Sequence, residues 1–491
     1  MDVISPILFH ARHNPQALAL CAPGVDLVTY GQLEKSVNNI SRRARSLGLA
    51  AGHVVGVLLP KHPTIHAVLI LGLARLGVIT ISVGPRKLPH SLRLDAMVCD
   101  GPHPHANVRT IPFDPSWLAG DGRPPEVDHA PGDDDITRII LTSGTTGEPK
   151  AVALSHRMVF GRVLRYHALC GNVFPSRARV FCDVTLATSF GYTIFISTLL
   201  KGGAFFTRGN TGENTLRALD FYNVDAFVVA PGSLPELLAE HDKHRSQHTF
   251  DVILTGGSIL SASLAERVAS RMGSNLIAAY GSAETSLVAS APAHAVRNLP
   301  GAVGYVTPGM RVEIVDETDR PMPIGESGIV RIRGDYMASG YYNDAESSAR
   351  IFRDGWFYPG DVGALTLDGV FVVAGRQTAV LNLGGEKIAP EAIEELVAGF
   401  DPAAAAGAAL VSAVDGVDQI WVAIESAKTI DLQRLREHCR KQLPTIFTPT
   451  RFVSVERLPR NAMGKLDRGE LLRLLKAAAV GAHDAPGAQT P

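Results

Sequence analysis

Helical and strand patterns alternate along the first part of the chain, and this alternation limits the number of possible folds. Apolar residues recur at helical spacing over residues 32–47 and 65–76, and a short β-branched run follows each segment, at 54–59 and 78–83. The same order returns at 226–230, 234–241, 252–254 and 262–272. Strands separated by helices are typical of α/β proteins with largely parallel, buried sheets. We therefore predict α/β layers.

A chain of 491 residues is too long for one hydrophobic core, so we expect more than one domain. From about residue 303 short strands and turns predominate, which indicates a smaller β-rich subdomain. Past residue 375 a compact unit with its own helices and strands begins. We predict an N-terminal domain over 1–376, an α+β C-terminal domain over 377–478, a disordered tail over 479–491, and irregular surface connection over 84–134.

Composition excludes several functional classes. The formal net charge of −1 provides no general attraction to nucleic acid or to an anionic membrane. The most apolar segment, 67–83, contains Arg75, so we expect no membrane span. No basic region precedes an apolar stretch at the N-terminus, so we expect no signal peptide. Five scattered cysteines without a CxxC pattern indicate reduced thiols in a cytosolic protein. The 17 histidines show no HExxH pattern, which disfavours a catalytic transition metal.

The densest cluster of phosphate-binding residue types follows the apolar run at 139–141. Glycines let the backbone approach a ligand, hydroxyls and N–H groups donate hydrogen bonds, and a lysine adds a point charge. The spacing differs from that of P-loop proteins, because no Gly-Lys-Ser/Thr follows. The alternative is a polar surface turn. The residues concerned are Thr142, Ser143, Gly144, Thr145, Thr146, Gly147 and Lys150.

Five further segments contain glycines next to polar or charged residues. The first follows the run at 252–254, so it is expected to be a tight turn at the carboxyl end of a strand, where α/β sheets bind ligands. In chain order they are Gly256-Gly257-Ser258, Tyr280-Gly281-Ser282-Ala283-Glu284-Thr285, Tyr358-Pro359-Gly360-Asp361, Gly375-Arg376, and Asn461-Ala462-Met463-Gly464-Lys465-Leu466-Asp467-Arg468.

This ordered series resembles the adenylate-forming superfamily of acyl-CoA synthetases, carrier-linked adenylation domains and luciferases. The resemblance extends from Thr29-Tyr30-Gly31-Gln32-Leu33 to Lys465. It implies a large N-terminal domain, a small mobile C-terminal domain, and a reaction in two halves. A carboxylate and ATP form an acyl-adenylate and pyrophosphate, and a thiol, of CoA or of a carrier protein, then takes the acyl group.

The resemblance implies a role for each matching residue. Residues Thr142 to Lys150 would hold the β- and γ-phosphates, and Glu284 would bind Mg²⁺, a hard cation that prefers oxygen ligands. Lys465 would bridge the attacking carboxylate and the α-phosphate and stabilise the charge of the transition state. We therefore predict that the catalytic residues are Lys465, Glu284 and Thr142.

The nucleotide would be held by the remaining segments. Gly256 and Gly257 would enclose the adenine together with Tyr280, and Asp361 would accept hydrogen bonds from the ribose hydroxyls. Arg376 would contact the ribose or a phosphate. Ser258, Gly281 and Ser282 complete the predicted nucleotide contacts.

Each of these residues also has an ordinary structural interpretation. A glutamate such as Glu284 is commonly solvated or caps a helix, Asp361 could serve the turn that precedes it, and Lys465 could be a surface lysine. Two residues differ from the family pattern. Ala283 stands where a threonine commonly contacts phosphate, so Ser282 or Thr285 would have to supply that contact. Thr188 stands where many CoA ligases carry a histidine.

The second half-reaction would use the C-terminal domain. Residues 375–378 resemble the family's hinge, with Thr378 at the position of the usual Asp or Lys. Residues 383–388 resemble the loop that faces the thioesterification site, where Gly385 would let the pantetheine arm pass and Lys387 could contact a CoA phosphate. A plain β-turn is the alternative.

The predicted acid pocket is apolar with a few hydroxyls. It contains no acidic residue over 186–192, which disfavours an amino acid, and it suits an aryl or a short- to medium-chain aliphatic acid. We predict substrate contacts at Thr188, Phe190, Tyr192, Gly256 and Ala279.

Three functions remain open from the sequence. The first is a carboxylate:CoA ligase that uses ATP, Mg²⁺ and CoA. The second is a stand-alone adenylating enzyme that loads a carrier protein in trans, and the third is a non-catalytic binding homologue. The sequence does not determine the oligomeric state or the identity of the acid.

Overall fold

The computed structural model describes residues 2–84, 88–103, 105, 107–126, 131–142, 149–169, 176–209, 215–244, 249–258, 260–299, 301–376, 381–383, 386–388, 390–412, 418–426, 428–443, 448–461 and 464–480. Its helices are α1 Ser5–His13, α2 Tyr30–Ser46, α3 Pro63–Arg75, α4 His156–Leu169, α5 Ser189–Leu200, α6 Thr215–Phe221, α7 Leu234–His244, α8 Ala262–Arg271, α9 Ala293–Val296, α10 Ala345–Ile351, α11 Pro390–Phe400, α12 Leu432–Gln442 and α13 Arg468–Val480.

The strands follow in the same chain order. They are β1 Leu18–Ala22, β2 Asp26–Thr29, β3 Val54–Leu58, β4 Ile79–Ser82, β5 Ala96–Cys99, β6 Thr110–Pro112, β7 Ile136–Thr142, β8 Lys150–Ser155, β9 Arg179–Cys182, β10 Ala204–Phe206, β11 Ala226–Val229, β12 Val252–Gly256, β13 Leu276–Ser282, β14 Ser286–Pro292, β15 Ala302–Val306, β16 Met310–Val315, β17 Gly328–Gly334, β18 Phe352–Arg353, β19 Trp356–Phe357, β20 Asp361–Leu365, β21 Val370–Arg376, β22 Leu381–Leu383, β23 Glu386–Ile388, β24 Ala405–Ser412, β25 Asp418–Glu425 and β26 Arg451–Val455.

Helix ends follow the local sequence. Thr29 caps α2 by accepting from the N–H of Gln32, and the Gln32 side chain accepts in return from the Thr29 N–H, which completes a capping box. Ser261 caps α8 by accepting from the Leu264 N–H, and Asp431 caps α12 by accepting from the N–H groups of Gln433 and Arg434, without a reciprocal bond. The apolar face of α2 packs against α3 in the main core.

The largest sheet combines a parallel and an antiparallel half. Its order is β2-β1-β10-β9-β11-β12-β13-β14-β15-β21-β20-β17-β19-β18, with β16 on β17. The strands β1, β10, β9, β11, β12 and β13 are parallel to their neighbours in this series. The edge strand β2 pairs antiparallel with β1, and every pair from β13·β14 to β18·β19 is antiparallel. The predicted β-rich region is therefore continuous with the α/β sheet, through the pairs Ala289↔Val306 and Ser290↔Tyr305.

A six-stranded sheet has the order β6-β5-β3-β4-β7-β8 and ends in the antiparallel β7–β8 pair. It corrects one prediction, because residues 84–134 include β5 and β6 and a 3₁₀ turn at Pro115–Leu118. All four residues of β5 are buried, and β5 pairs in parallel with β3. Its sequence, Ala-Met-Val-Cys, is too short to show a periodicity, so only the tertiary pairing identifies the strand.

The C-terminal residues form a three-stranded sheet, β24-β25-β26, covered by α11, α12 and α13 around an apolar core of its own. The division at residue 376 stays a prediction. Helix α13 ends at Val480 and residues 481–491 lie outside the described part, so the predicted disordered tail over 479–491 stays a prediction. Within the described part of the chain, no helix is long and apolar enough to cross a membrane.

Candidate active site

The carboxyl ends of β12 and β13 bring two of the predicted nucleotide segments together. Gly256 pairs with Ala279 across these parallel strands, and a Cβ added at Gly256 would lie 2.8 Å from the Ala279 carbonyl oxygen. Gly257 has φ +96°, a conformation that favours glycine. The predicted turn after β12 is therefore present. The absence of side chains at Gly256 and Gly257 leaves space beside the backbone. Ser258 follows as an exposed residue.

Asp361 is the centre of a hydrogen-bonded group at the junction of β13, β20 and β21. Its Oδ2 accepts from the Tyr280 hydroxyl, and its Oδ1 lies 2.9 Å from Arg376 Nε. Asp361 and Arg376 also pair across β20 and β21. Burial raises the pKa of Asp361, and the Arg376 charge and the Tyr280 hydrogen bond oppose this shift. Burial, and then the negative charge of Asp361, raises the pKa of Tyr280, which stays a neutral donor.

Glu284 is 6% exposed, and its Oε1 accepts from the Tyr341 hydroxyl at 3.1 Å. Burial first, and then the charge of Glu284, raises the pKa of Tyr341. No group of three or more His, Cys, Asp or Glu side chains among the described residues could hold a metal ion. One carboxylate fits Mg²⁺ that arrives with ATP, because Mg²⁺ is usually held by one or two carboxylates together with substrate phosphates and water.

Lys465 reaches this group from the connection between β26 and α13. It follows a tight turn in which Gly464 has φ +72° and the Asn461 side chain accepts from the Lys465 N–H at 3.1 Å. A Cβ added at Gly257 would lie 3.9 Å from Lys465 Cε. Burial and the charge of Arg376 lower the pKa of Lys465, while the carboxylates of Asp361 and Glu284 act in the opposite direction.

The backbone beside Lys465 is packed closely against the large sheet. A Cβ added at Gly232, in the 3₁₀ turn Pro231–Ser233 after β11, would lie 2.6 Å from the Gly464 carbonyl oxygen. A second contact comes from α8, where Arg267 Nη1 donates a hydrogen bond to the Pro402 carbonyl oxygen at 2.9 Å. These contacts hold the C-terminal sheet over the site.

The phosphate segment is described only at its two ends. Thr142 pairs with Lys150 across β7 and β8, so both ends of the loop are anchored in one hairpin. The Lys150 side chain forms an ion pair with Asp344 that the sequence did not predict. The other predicted phosphate contacts, Ser143, Gly144, Thr145, Thr146 and Gly147, lie outside the described residues.

Two buried arginines of α4 hold the segment that contains Glu284. Arg162 donates to the carbonyl oxygens of Ala283 and Glu284, each at 3.0 Å, and Arg165 donates to that of Thr285 at 3.2 Å. Burial lowers the pKa of Arg162 to about 10, so the guanidinium stays charged at neutral pH. Neither arginine was identified from the sequence, because arginines in an amphipathic helix are usually solvated.

The hydroxyls beside Ala283 bond to each other. Ser282 Oγ lies 3.1 Å from Thr285 Oγ1, and Thr285 is fully buried, whereas Ser282 is half-buried. Of the two hydroxyls proposed to replace the missing threonine, that of Ser282 is therefore the more accessible. Gly281 and Ser282 belong to β13 and are paired with β14.

The predicted acid contacts occupy two environments. Thr188 caps α5 by accepting from the Gly191 N–H at 3.0 Å, and the Phe190 ring stacks on Tyr166 at 6.0 Å. Ala279 is half-buried beside Gly256. Tyr192 is 1% exposed and its ring lies beneath the Arg138 guanidinium at 5.1 Å, so it packs in the core and its contact with substrate stays a prediction.

Arg138, in β7 of the six-stranded sheet, supports the segment before α5 in which acid contacts are predicted. It is fully buried, donates to the Leu186 carbonyl oxygen at 2.9 Å and contacts the hydroxyls of Thr80 and Ser82. Burial lowers its pKa to about 10. The guanidinium therefore joins β7 to the segment before α5.

The predicted CoA segment is a hairpin of β22 and β23, in which Lys387 pairs with Asn382. The pairing leaves both the predicted CoA contact and the plain β-turn open, because residues 384 and 385 lie outside the described residues. Gly385 and the hinge position Thr378 lie outside the described residues, and the Lys387 side chain is not described. Their roles stay predictions.

A family model described as "AMP-binding enzyme" matches residues 97–342, which is half of the chain. The chain belongs to this family, and the resemblance and the fold class predicted from its motifs are confirmed.

Individual relatives match over nearly the full length. A feruloyl-CoA synthase of Amycolatopsis sp is 28% identical over 489 residues, which cover 94% of this chain and 97% of the relative. An indoleacetate–CoA ligase of Aromatoleum aromaticum is 27% identical, with 95% and 96% coverage. Among solved structures, an anthranilate CoA ligase in complex with anthranoyl-AMP superposes with a TM-score of 0.85 at 20% identity, covering 98% of each chain.

Proposed function

We propose that the protein is an ATP-dependent carboxylate:CoA ligase that forms an acyl-adenylate and then a thioester. The observation that carries the proposal is the position of Lys465. This lysine reaches the charged group of Glu284, Asp361 and Arg376 although it lies in the C-terminal connection between β26 and α13. A cation placed there can stabilise negative charge at the α-phosphate during attack by a carboxylate.

In the first half-reaction the acid carboxylate attacks the α-phosphorus of ATP, the bond to the β-phosphate breaks, and pyrophosphate leaves. Lys465 contacts the attacking carboxylate and the α-phosphate, while Thr142, Lys150 and the segment between them bind the departing phosphates. Glu284 would hold Mg²⁺, which would neutralise phosphate charge when bound. Asp361 and Arg376 orient the ribose, and Tyr280 packs against the adenine.

In the second half-reaction the CoA thiol attacks the acyl carbon, and AMP leaves as the thioester forms. We assign the contacts of the pantetheine arm and its phosphates to Gly385 and Lys387. The proximity of Lys465 to Glu284, Asp361 and Arg376 supports the first half-reaction for this arrangement of the C-terminal residues. Rotation about residues 375–378 would replace Lys465 with the β22–β23 hairpin.

The acid is proposed to be an aryl acid or a short- to medium-chain aliphatic acid. Phe190, Ala279 and Gly256 supply apolar surface and space, and Thr188 supplies a hydroxyl. The relatives named for ferulate and indoleacetate support the aryl choice. A cytosolic location is proposed with it, since CoA and ATP are available there.

Acid-dependent ATP–pyrophosphate exchange tests the first half-reaction. The panel comprises ferulate, indoleacetate, salicylate, anthranilate, butyrate and octanoate, and a parallel assay measures AMP release with CoA. Exchange with an aryl acid and CoA-dependent AMP release are expected. If no acid supports exchange, the enzyme proposal is wrong and the chain is a binding homologue.

A second candidate function keeps the adenylation but transfers the acyl group to a carrier protein in trans. A 27% identical relative, enterobactin synthase component E of Escherichia coli, covers 70% of this chain, with 66% of its own length matched. Exchange without thioester formation from CoA, followed by acylation of a phosphopantetheinyl carrier protein, would favour this alternative.

A further inference from the structure

Helix α4 lies behind both halves of the candidate site. Arg162 donates from Nε to the Tyr336 carbonyl oxygen at 3.0 Å and from Nη1 to Ser189 Oγ at 3.1 Å. Its Nη1 also donates to the Ala283 carbonyl oxygen, and its Nη2 donates to that of Glu284. One guanidinium therefore contacts the first residue of the acid-pocket helix and the backbone of the Mg²⁺-binding residue.

The acid-pocket side is tied to α4 a second time. Phe190, next to Ser189, stacks on Tyr166 with an interplanar angle of 20°. Arg162 and Tyr166 are four residues apart, so they project from the same face of α4. The N-terminal turn of α5 is thus fixed to α4 by a hydrogen bond and by a ring contact.

The chemistry of Arg162 is unusual for a structural residue. Its side chain is fully buried, and its hydrogen-bond partners in the described part of the chain are three carbonyl oxygens and one hydroxyl, with no carboxylate among them. A buried guanidinium that is hydrogen-bonded to no carboxylate is costly, although the Glu284 charge opposes the lowering of the Arg162 pKa by burial, and an apolar residue would fill the same space at lower cost. The donor geometry is therefore the property that distinguishes arginine at this position.

We propose that Arg162 is a positioning residue that holds the Glu284 backbone and the start of α5 at a fixed position relative to each other. The acid carboxylate and the Mg²⁺-bound phosphates then meet at a set distance. This inference rests on the proposed function. If the fork of the guanidinium is lost, the Glu284 carboxylate and the acid pocket shift relative to each other, and Mg²⁺ binding and acid binding weaken together.

Arg165 supplies a matched control on the same helix. It also donates to carbonyl oxygens, those of Thr285 at 3.2 Å and Leu287 at 3.4 Å, and it is 6% exposed. Its described hydrogen bonds reach neither Ser189 nor the Glu284 carbonyl oxygen. Arg165→Lys should therefore disturb the packing beside Glu284 as Arg162→Lys does, while it keeps the connection from the Glu284 carbonyl oxygen through Arg162 to Ser189.

The first measurement does not depend on turnover. Isothermal titration calorimetry compares ATP binding in Mg²⁺ with ATP binding in EDTA for the wild type, Arg162→Lys, Arg165→Lys and Ser189→Ala. The increase in affinity caused by Mg²⁺ should fall about tenfold in Arg162→Lys, as expected for the loss of hydrogen bonds from a charged donor, and change less than about twofold in Arg165→Lys. ATP binding in EDTA should change little in either variant.

Ser189→Ala tests the connection from its other end and keeps the guanidinium buried. Ser189 lies on the acid-pocket helix, so a weaker Mg²⁺ effect in this variant is expected only if the two half-sites are linked through Arg162. Exchange with ferulate should show a raised acid KM in Arg162→Lys and Ser189→Ala, with non-additive effects in the double variant.

Equal effects of Arg162→Lys and Arg165→Lys would overturn the proposal, as would an unchanged Mg²⁺ effect in both Arg162→Lys and Ser189→Ala. Additive effects in the double variant would overturn it as well. Absence of exchange by the wild type with every acid of the panel would instead refute the proposed function, and the calorimetric comparison would still decide on Arg162.

Discussion

The Lys150 ammonium lies 3.1 Å from the Asp344 carboxylate, measured from Nζ to Oδ2, and the two side chains are 12% and 17% exposed. Asp344 also caps α10, because its Oδ1 accepts from the Ser347 N–H at 3.0 Å. Burial raises the pKa of Asp344, but the hydrogen bonds from Ser347 and Lys150 outweigh this effect and lower the pKa. The lysine of the phosphate segment therefore has an anionic partner before ATP binds.

Asp344→Asn should strengthen ATP binding by about threefold, the effect of a modest ion pair. The amide oxygen can still cap α10, while the phosphates no longer compete with a carboxylate for Lys150. Calorimetry with ATP and Mg²⁺ measures the change, with Lys150→Ala as a control that should weaken binding. Weaker binding in Asp344→Asn would indicate that the ion pair positions Lys150 instead.

Lys465→Ala should lower acid-dependent pyrophosphate exchange by about a hundredfold or more, as for other groups that stabilise charge in a transition state. Thioester formation from preformed acyl-adenylate and CoA should remain largely intact, because the proposed rotation would remove Lys465 from the site for that step. Both half-reactions are measured with the same protein sample. Equal loss in both would refute this division of roles.

The alkaline limit of the exchange rate should lie below the ordinary titration range of lysine. Burial and the charge of Arg376 lower the pKa of Lys465, and only the protonated amine supplies the cation, so the rate falls as pH rises through this lowered pKa. Lys465→Arg should retain part of the rate and move the limit to higher pH, because arginine stays protonated. An alkaline limit that is the same in both proteins would contradict this assignment.

Gly232→Ala should lower exchange by up to about a hundredfold, since a displacement of about 1 Å can have such an effect on a reaction that requires alignment. The added Cβ would lie 2.6 Å from the Gly464 carbonyl oxygen and would push the turn that contains Lys465 outward. Thioester formation from preformed acyl-adenylate should be spared. Gly84→Ala is the control, because no described atom lies within 4 Å of a Cβ at that position.

Several elements of the site could be predicted because they depend on local sequence. The strand before Gly256 shows as an apolar run, and Gly257 follows it in a backbone conformation that glycine adopts readily. The turn before Lys465 likewise contains a glycine with positive φ. Such features need no knowledge of distant residues, so their order along the chain was sufficient to indicate the family.

The supporting residues could not be predicted in this way. Tyr341 lies 57 positions from Glu284, Asp344 lies 194 positions from Lys150, and Arg162 lies 122 positions from Glu284. Each is an ordinary polar residue within its own segment. Only the folded chain shows that Tyr341 contacts the Glu284 carboxylate, or that Arg162 is buried.

The alternation of helices and strands, the glycine turns and the residue types of an adenylating site can all be read from local sequence. These properties depend on periodicity and on backbone freedom within a few residues. Which charges meet depends instead on the tertiary fold. Burial strengthens and redirects electrostatic interactions, and burial depends on packing between segments that lie far apart in the chain. For this reason the pairing of Lys150 with Asp344 and the position of Arg162 between two half-sites emerged only from the fold.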